Sequence, residues 1–291
     1  MSDILIPQIL NGLTIGAILV LIATGLTLIF GLMGVVNFSH GAMYMLGAYI
    51  AMQVLSTTGH YGLALLASLV GVALLGFLLE YFMIRRLYGH DPLLQVLLTF
   101  GVAIVIRESV EIVWGPRIQV FLPPTSLSGS AVLWGVQYPV YRLAVLALSI
   151  VLAGSIWLTL RFTDIGLIVR AGSSDRNMVA ALGINVRRVF TSVFVMGAML
   201  AALAGMLVAP LRSVYPDMGN DVILYAFVAV IVGGLGSYQG AIAGALLVGF
   251  AELLGVLMFP GLERAFVYVL VALVMALKPS GLFGRPREGS A

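Results

Sequence analysis

The sequence predicts an all-α fold: a polytopic helical membrane protein with eight to ten membrane segments, some of them broken or re-entrant helices. Of the 291 residues, 61% are hydrophobic and only 9% are charged, whereas soluble domains average about 25% charged residues. The apolar stretches are continuous and do not alternate residue by residue, as the strands of a membrane barrel would. We therefore expect one helical transmembrane domain over residues 1–291.

Several stretches without a charged residue are long enough to cross the membrane, because about 20 apolar residues of helix span its hydrocarbon core. The first of them, residues 4–39, is too long to be the apolar part of a signal peptide, and no basic segment precedes it. We therefore expect this span to be retained. The others are residues 61–79, 143–160, 189–211 and 222–251.

The basic residues predict the orientation. Ten of the fifteen Lys and Arg residues lie in three clusters, which the positive-inside rule places in the cytoplasm together with the C-terminus. The N-terminus and residues 115–141, an ordered loop with Trp134 at the interface, are then expected outside. The clusters are Arg85 and Arg86; Arg161, Arg170, Arg176, Arg187 and Arg188; and Lys278, Arg285 and Arg287. The expected spans are 8–30, 41–58, 61–84, 93–113, 142–160, 188–210 and 264–277, and residues 222–258 either cross twice or form a re-entrant hairpin.

Two apolar stretches are interrupted by glycine and polar residues, GLMGVVNFSHGAMYMLGAY at 31–49 and VAVIVGGLGSYQGAIAGALLVGF at 228–250. Their loose correspondence suggests an internal repeat, as in many transporters. Residues 222–232 would make only about 16 Å of helix, half a bilayer. Broken helices of this kind point to a translocation pathway. We expect His40 to hydrogen-bond a backbone group or to act in the gate rather than to bind a ligand. The residues predicted to line or gate the pathway are Asn37, Ser39, His40, Gly41, Gly234, Gly236, Ser237, Tyr238, Gln239 and Gly240.

Charged residues near the spans have two interpretations each. Glu252 is either a functional buried acid or, as we favour, a paired acid at an outer helix end. Arg107 and Glu111, one helical turn apart, are expected to form an interfacial ion pair. Glu80 and Arg85 are expected to extend toward the inner surface.

Enzymatic chemistry is not indicated. The chain has no cysteine, its three histidines are scattered, and its only lysine, Lys278, is not part of a phosphate-binding loop. We therefore expect no catalytic residue, no metal site and no cofactor in this chain. The net charge of +3 is expected to report membrane orientation rather than nucleic-acid binding.

The longest cytoplasmic loop, residues 161–188, contains a predicted short helix from Asp175 to Gly183. Asp175 is suited to cap its start and Gly183 to end it. Its apolar face would either lie on anionic lipid or dock into a groove of a cytoplasmic partner. That face consists of Met178, Ala181 and Leu182.

Three segments together resemble the permease subunits of branched-chain amino-acid ABC importers, and in length the shorter of the two permeases. They are GLTLIFGLMGVVNFSHGAMYMLGAY at 25–49, RAGSSDRNMVAALGINVRRV at 170–189 and GGLGSYQGAIAGALLVGFAE at 233–252. The resemblance implies one permease domain with residues 161–188 as its ATPase-coupling loop. The loop residues implied are Arg170, Asp175, Met178, Ala181, Leu182, Gly183, Ile184 and Asn185; the chain departs from the usual pattern at Ser173, Ser174 and Arg176.

The resemblance also implies partners: a second, related permease subunit, two cytoplasmic ATPase subunits that bind ATP and Mg, and a periplasmic solute-binding protein, in the bacterial inner membrane. The implied substrates are leucine, isoleucine and valine. Relatives that carry urea, short amides or other amino acids stay open as an alternative. A secondary transporter or channel for small neutral solutes is a further alternative.

Overall fold

The computed structural model describes residues 2–133 and 135–284, and side-chain surroundings from residue 5 onward. Within these ranges it confirms the predicted all-α fold, with one β-hairpin in a connecting loop. The helices are α1 (Ser2–Met33), α2 (Ser39–Thr58), α3 (Tyr61–Phe82), α4 (Pro92–Trp114), α5 (Val140–Phe162), α6 (Asp164–Ser174), α7 (Arg176–Ala181), α8 (Val186–Arg212), α9 (Met218–Gly233), α10 (Tyr238–Met258) and α11 (Glu263–Leu277); the strands are β1 (Ser130–Leu133) and β2 (Val136–Pro139).

The chain is a multi-pass membrane protein. Among the described residues, five helices are long and apolar enough to cross a bilayer: α1, α3, α5, α8 and α10. The helix α9, with 16 residues, is apolar but shorter. The total number of membrane segments stays a prediction.

The helix α1 lies at the centre of the bundle, where Leu21, Ile22 and Ala23 are fully buried. Glycines let neighbouring helices approach it closely: a Cβ atom added to Gly16 would lie 3.2 Å from the Cα atom of Leu246 in α10. Small residues elsewhere likewise face backbone or Ala side chains of a partner helix, as Gly47 faces Ala202. Such small-residue contacts let membrane helices pack closely.

The arginines of the first two clusters gather at one end of the bundle, which we call the basic end. Arg85 donates to Thr191 over 2.7 Å and Arg176 to the carbonyl of Leu32 at the end of α1 over 3.3 Å. The turn between α9 and α10 is at this end as well, because Gly236 packs against Gly31. Arg285 and Arg287 lie outside the described residues.

The helices α9 and α10 form an antiparallel hairpin, since Gly233 packs against Gly240 and Gly244 against Ala229. The sequence-based start of α9 at residue 222 is wrong by four residues. Met218–Gly233 has 16 residues, or about 24 Å. The helix begins before the apolar run because Asp221 is accommodated within its first turn, where its carboxylate has a hydrogen-bond partner. It hydrogen-bonds Tyr215 over 2.8 Å.

The long loop after α4 is ordered, as predicted. Its strands β1 and β2 pair antiparallel, and Gln119 bridges to Val214 after α8. The Tyr138 hydroxyl donates to Asn11 Oδ1 over 3.0 Å, which fixes the hairpin to α1. Trp134 lies outside the described residues.

Candidate functional site

A cavity of about 290 Å³ opens at the end of the bundle opposite the basic end. Helices α1, α5, α8, α9 and α10 surround it, with Tyr44 of α2. Its deepest residues, such as Ile18, Leu19 and Met218, are at most 4% exposed, so the floor is apolar. The apolar lining is Ile15, Ile18, Leu19, Val208, Leu211, Met218, Val222, Leu253 and Val256.

The rim of this cavity carries balanced charges. Arg212 Nη2 lies 2.5 Å from Glu252 Oε1, and Arg142 donates to Asn11 Oδ1. Asp221 is the second acid. Glu252 is thus satisfied by a partner, as expected, but it is not at a helix end, because α10 continues past it to Met258. It also lines a cavity that the sequence did not reveal.

Tyrosine hydroxyls complete the polar part of the rim. Burial, together with a hydrogen bond to Asp221, raises the pKa of Tyr215 to about 12. The phenol therefore stays protonated at neutral pH and donates to the Asp221 carboxylate over 2.8 Å. Arg264 approaches the other oxygen of Asp221 at 3.2 Å, so this acid is held from two sides.

The first break, residues 34–38, is partly buried: Val35 and Asn37 are buried, and Gly34 is exposed. Gly34 has a left-handed backbone, φ +66°, which glycine adopts without strain. The Phe38 amide donates to Thr99 Oγ1 over 3.2 Å, and Ser39 Oγ donates to Asn37 Oδ1 over 2.6 Å. Asn37, Ser39 and His40 are fully buried.

Several polar atoms around this first break have no protein partner among the described residues. His40 Nε2 lies 3.1 Å from the carbonyl oxygen of Ile22. A carbonyl only accepts, so Nε2 carries the proton and Nδ1 is a free acceptor. The atoms without a partner in this region are Thr24 Oγ1, Thr27 Oγ1, Asn37 Nδ2 and His40 Nδ1.

The second break, residues 234–237, is held by hydrogen bonds at both of its ends. Ser237 Oγ caps α10 by accepting from the Gly240 amide over 3.1 Å, and the Tyr238 hydroxyl donates to the carbonyl of Ala153 in α5 over 2.6 Å. The C-terminal segment adds a bond from the Phe283 amide to the Gly233 carbonyl, 2.8 Å. Gly234 and Gly236 have φ values of +106° and +80°, and Gln239 is exposed.

The two breaks are neighbours: a Cβ atom on Gly31 would lie 3.3 Å from the Cα atom of Gly236. The structure therefore brings together the two segments that the sequence paired. None of the ten predicted pathway residues lines the cavity at the opposite end, and Gly41 packs against Gly219 of α9. Their role in a pathway and the internal repeat stay predictions.

The loop from residue 161 to 188 folds into an arm of two helices, α6 and α7. Asp175 Oδ1 accepts from the amides of Asn177 and Met178 at 2.9 and 3.0 Å, and Gly183, with φ +81°, ends the helix. The predicted short helix is thus confirmed. The helix α6, which precedes it, is not predicted by the sequence analysis, because its Gly and Ser residues obscure the helical pattern.

The outer face of the arm is apolar and exposed. Met178 is 60% exposed and Leu182 is 72% exposed, with Ala181 beside them. Other predicted coupling residues fix the arm in place: Arg170 donates to the carbonyl of Leu160, and Asn185 Oδ1 accepts from the Arg188 amide over 3.2 Å. Ile184 is half-buried.

The inner face of the arm touches the first break. Arg176 Nη2 donates to the Leu32 carbonyl over 3.3 Å and would contact a Cβ atom on Gly34 at 3.4 Å. Gly172 packs against the Leu32 side chain. Arg176, where the chain departs from the family pattern, is thus the link between the arm and the break.

An ion-pair cluster joins α4 to the start of α9 at the end opposite the basic end. Arg107 lies 3.2 Å from Glu111, as predicted, and 2.8 Å from Asp217, which the sequence does not indicate. The hydrogen bond from Arg107 lowers the pKa of Asp217. This carboxylate therefore favours the folded state above its ordinary pKa of about 3.9, and the effect is lost only as the pH falls through the lowered value.

The predicted extension of Glu80 toward the surface is wrong. Glu80 is fully buried, and it accepts from Arg85 Nη2 at 2.9 Å, the Tyr88 hydroxyl at 2.7 Å and Thr191 Oγ1 at 2.8 Å. A buried carboxylate is tolerated when donors satisfy it in this way. The pair joins α3 to α8 near the basic end.

Comparison with known proteins agrees with this architecture. Residues 8–277 match the family described as branched-chain amino acid transport system, permease component. The chain is 31% identical to the high-affinity branched-chain amino acid transport system permease protein BraD of Pseudomonas aeruginosa and 32% identical to the permease protein LivH of Escherichia coli K12; each comparison covers 97% of this chain and 96% of the relative. A probable branched-chain amino acid transport permease protein LivH of Methanocaldococcus jannaschii is 26% identical over 87% of this chain and 82% of its own length. The chain therefore belongs to the family of permease components of branched-chain amino acid transport systems.

Proposed function

We propose that this chain forms one half of the membrane pathway of an ATP-driven importer that carries leucine, isoleucine and valine across the bacterial inner membrane. A second permease subunit completes the pathway, two ATPase subunits bind ATP and Mg on the cytoplasmic side, and a periplasmic binding protein delivers the solute. This chain supplies neither a catalytic group nor a cofactor. Family membership and the resemblance in the coupling loop support this assembly.

The observation that carries the proposal is the cavity. Its apolar floor suits a branched aliphatic side chain, and its rim offers arginines and carboxylates to the two charged ends of an amino acid. The volume of about 290 Å³ is at the lower limit of small-molecule pockets, about 300 to 1,000 Å³. Urea or a short amide would leave the apolar floor unfilled.

The orientation follows from the arginines. The positive-inside rule places the basic end in the cytoplasm, and the cavity then opens toward the periplasm, where a binding protein would release its ligand. The arm lies on the cytoplasmic side, where its exposed Met178 and Leu182 suit a groove on an ATPase subunit.

The first break is proposed as the gate. A buried polar group without a partner costs about 1–3 kcal/mol, and four such atoms surround residues 37–40 and the middle of α1. A conformation that hydrates them would recover part of this cost. Movement of the arm reaches this break through Arg176 and Leu32, and rigid-body motion of packed helices is a common form of such switching.

The test is uptake of labelled leucine into vesicles that contain the chain with its partner subunits. Val222→Trp places a ring in the cavity and should lower ATP-dependent uptake at least tenfold. Val105→Trp is the control, because Val105 is 64% exposed on α4 and does not line the cavity. The melting temperatures of both variants show whether a loss of uptake comes from filling the cavity, with the fold intact, or from misfolding.

Competition identifies the substrate class in the same assay. Unlabelled isoleucine and valine should suppress leucine uptake, and urea or acetamide should not. Uptake that an uncoupler abolishes and that persists without ATP would contradict the importer assignment in favour of a secondary transporter. Equal uptake by the Val222→Trp variant would remove the cavity from the pathway.

A further inference from the structure

A second concave region lies at the basic end, between the end of α3 and the start of α8. It is an open cleft of about 690 Å³. Its walls carry three arginines and two aromatic rings, and no part of the proposed transport cycle uses it. Prominent lining residues are Phe77, Tyr81, Arg85, Arg187, Arg188 and Thr191.

The cleft has uncompensated positive charge. Arg85 is neutralised by the buried Glu80 at 2.9 Å. Among the described residues, no acidic side chain forms an ion pair with Arg187 or Arg188, and both are exposed. They lie in the first turn of the long helix α8, whose positive dipole end adds to their attraction for an anion.

The cleft is also continuous with an apolar surface. The Phe77 and Tyr81 rings stack at 5.6 Å, and the Arg85 guanidinium lies 4.6 Å from the Tyr81 ring. Further along the same face of α3, Leu66, Val70 and Leu74 are each 58 to 59% exposed. We call these three residues with Phe77 and Tyr81 the α3 stripe; at a spacing of three to four residues they share one helix face.

We propose that this cleft binds the phosphate headgroup of an anionic phospholipid of the inner leaflet, with the acyl chains along the α3 stripe. Arg187 and Arg188 would hold the phosphate, and the exposed Ser192 offers a hydroxyl group nearby. Basic pockets between membrane helices on the cytoplasmic side are suited to lipid headgroups, and aromatic rings such as Tyr81 favour the membrane interface.

A lipid suits the cleft better than an acidic surface of a soluble partner. A soluble ATPase subunit could reach only the cleft, because the α3 stripe lies on a helix that is apolar enough to span the membrane. A phospholipid reaches both, with its headgroup in the cleft and its acyl chains along the stripe. The arm offers a separate apolar surface for such a partner, through Met178 and Leu182. The lipid would contact the α8 start next to Asn185, which ends the arm, so occupancy would restrain the arm relative to α3.

The test is phospholipid retention by the full complex after purification from vesicles with and without phosphatidylglycerol. The double variant R187Q/R188Q should retain several-fold less phosphatidylglycerol than the unsubstituted complex, and R187K/R188K should retain most of it. The control is R161Q, which removes a cytoplasmic arginine outside the cleft, stacked 5.2 Å from Trp157. Excess inorganic phosphate should not displace the lipid.

Equal retention by R187Q/R188Q and R161Q would overturn the proposal. Displacement by inorganic phosphate would assign the cleft to free phosphate, and loss of the ATPase subunits with unchanged lipid retention would assign it to protein docking; either result contradicts lipid binding. If the double variant does not fold, Phe77→Ser offers a second test, since it weakens the stripe alone and should also reduce retention. Retention needs no transport, so the result is independent of the proposed substrate.

Discussion

The two helix breaks are similar in sequence and opposite in packing. At the first break, Asn37 and His40 are fully buried with polar atoms that lack partners. Phe38, which precedes α2, provides no side-chain cap for that helix. At the second break, Ser237 caps α10 and Tyr238 is bonded to α5. The same sequence pattern, glycine with polar residues, therefore has two structural outcomes. At the first break polar groups are buried without partners, and at the second break hydrogen bonds hold the segment in place.

The difference assigns different roles to the two breaks. The first touches the arm, through Arg176 and Leu32. The second supports it from the side, where Gly236 meets Gly31. The comparison predicts that changes at the first break alter transport more than stability, and that changes at the second alter stability more than transport.

The largest effect is expected from Gly41→Leu, which lies in α2 beyond the first break and therefore tests the crossing of α2 and α9 and not the break itself. Its side chain would meet the backbone of Gly219 and the Ile223 side chain, whose Cβ atom is 2.8 Å from an added Cβ. Backbone cannot yield as a flexible side chain does, so we expect loss of most folded protein and at least tenfold lower uptake. Gly101→Leu, where nothing lies within 4 Å, should leave membrane yield and melting unchanged. A folded, active Gly41→Leu would show that this crossing of α2 and α9 is loose.

Arg176→Gln should separate the arm from the first break. We expect the ATPase subunits to co-purify in normal amounts and ATP-dependent uptake to fall about fivefold or more, because the bond to Leu32 is lost while the outer face of the arm is intact. Leu182→Arg should instead abolish co-purification, since a charge would enter the proposed groove. If Arg176→Gln transports normally, coupling follows another route; if Leu182→Arg keeps its ATPase subunits and its uptake, the docking surface is misassigned.

Asn37→Leu tests the unfavourable burial directly. Replacing the amide by an apolar group of similar size removes an unpaired donor but also the acceptor of the Ser39 hydroxyl, so the two effects oppose each other and the melting temperature should change little. Uptake should fall several-fold, since the polar group needed in the opened pathway is gone. The melting temperature and the uptake rate, measured on one preparation, show whether stability and transport change independently. A marked loss of stability with proportionate loss of uptake would make Asn37 a structural residue only.

Ser237→Ala should give the smallest effect. Loss of the cap costs about 1 kcal/mol of stability, and the melting temperature should drop by a few degrees while uptake per folded molecule is retained. Ser237→Asp, which can accept the same bond from Gly240, should restore the melting temperature. Strongly reduced uptake in a well-folded Ser237→Ala protein would remove the distinction between the two breaks.

Local features could be predicted from sequence because their causes are local. Asp175 capping α7 and Gly183 ending it follow from a carboxylate beside free amides and from a left-handed backbone. The positions of the two breaks follow from glycine and polar residues in apolar surroundings. The closeness of Arg107 and Glu111 follows from one helical turn.

Other features depend on which segments meet in space. The cavity combines Ile18, Val208 and Leu253 from helices far apart in the chain, and no sequence spacing signals that. Asp217 meets Arg107 only because α9 packs beside α4. The burial of Glu80 depends on Thr191 of α8, which supplies one of its hydrogen-bond donors. Thr191 is far from Glu80 in the chain, so the sequence around Glu80 suggested a solvated acid. The positive charge near Arg176 predicted orientation but not its contact with Leu32.

The most direct test of the gate is thiol labelling, because the natural chain contains no cysteine. Asn37→Cys and Gln239→Cys would each be placed in the assembled transporter and labelled with a membrane-permeant maleimide, with and without ATP and the loaded binding protein. If the first break is the gate, Cys at position 37 is labelled at least tenfold faster during turnover than at rest. Cys at position 239, exposed at the start of α10 beside the second break, is labelled equally in both. If position 37 is labelled at the same rate at rest and during turnover in a complex that transports leucine, the first break is not the gate.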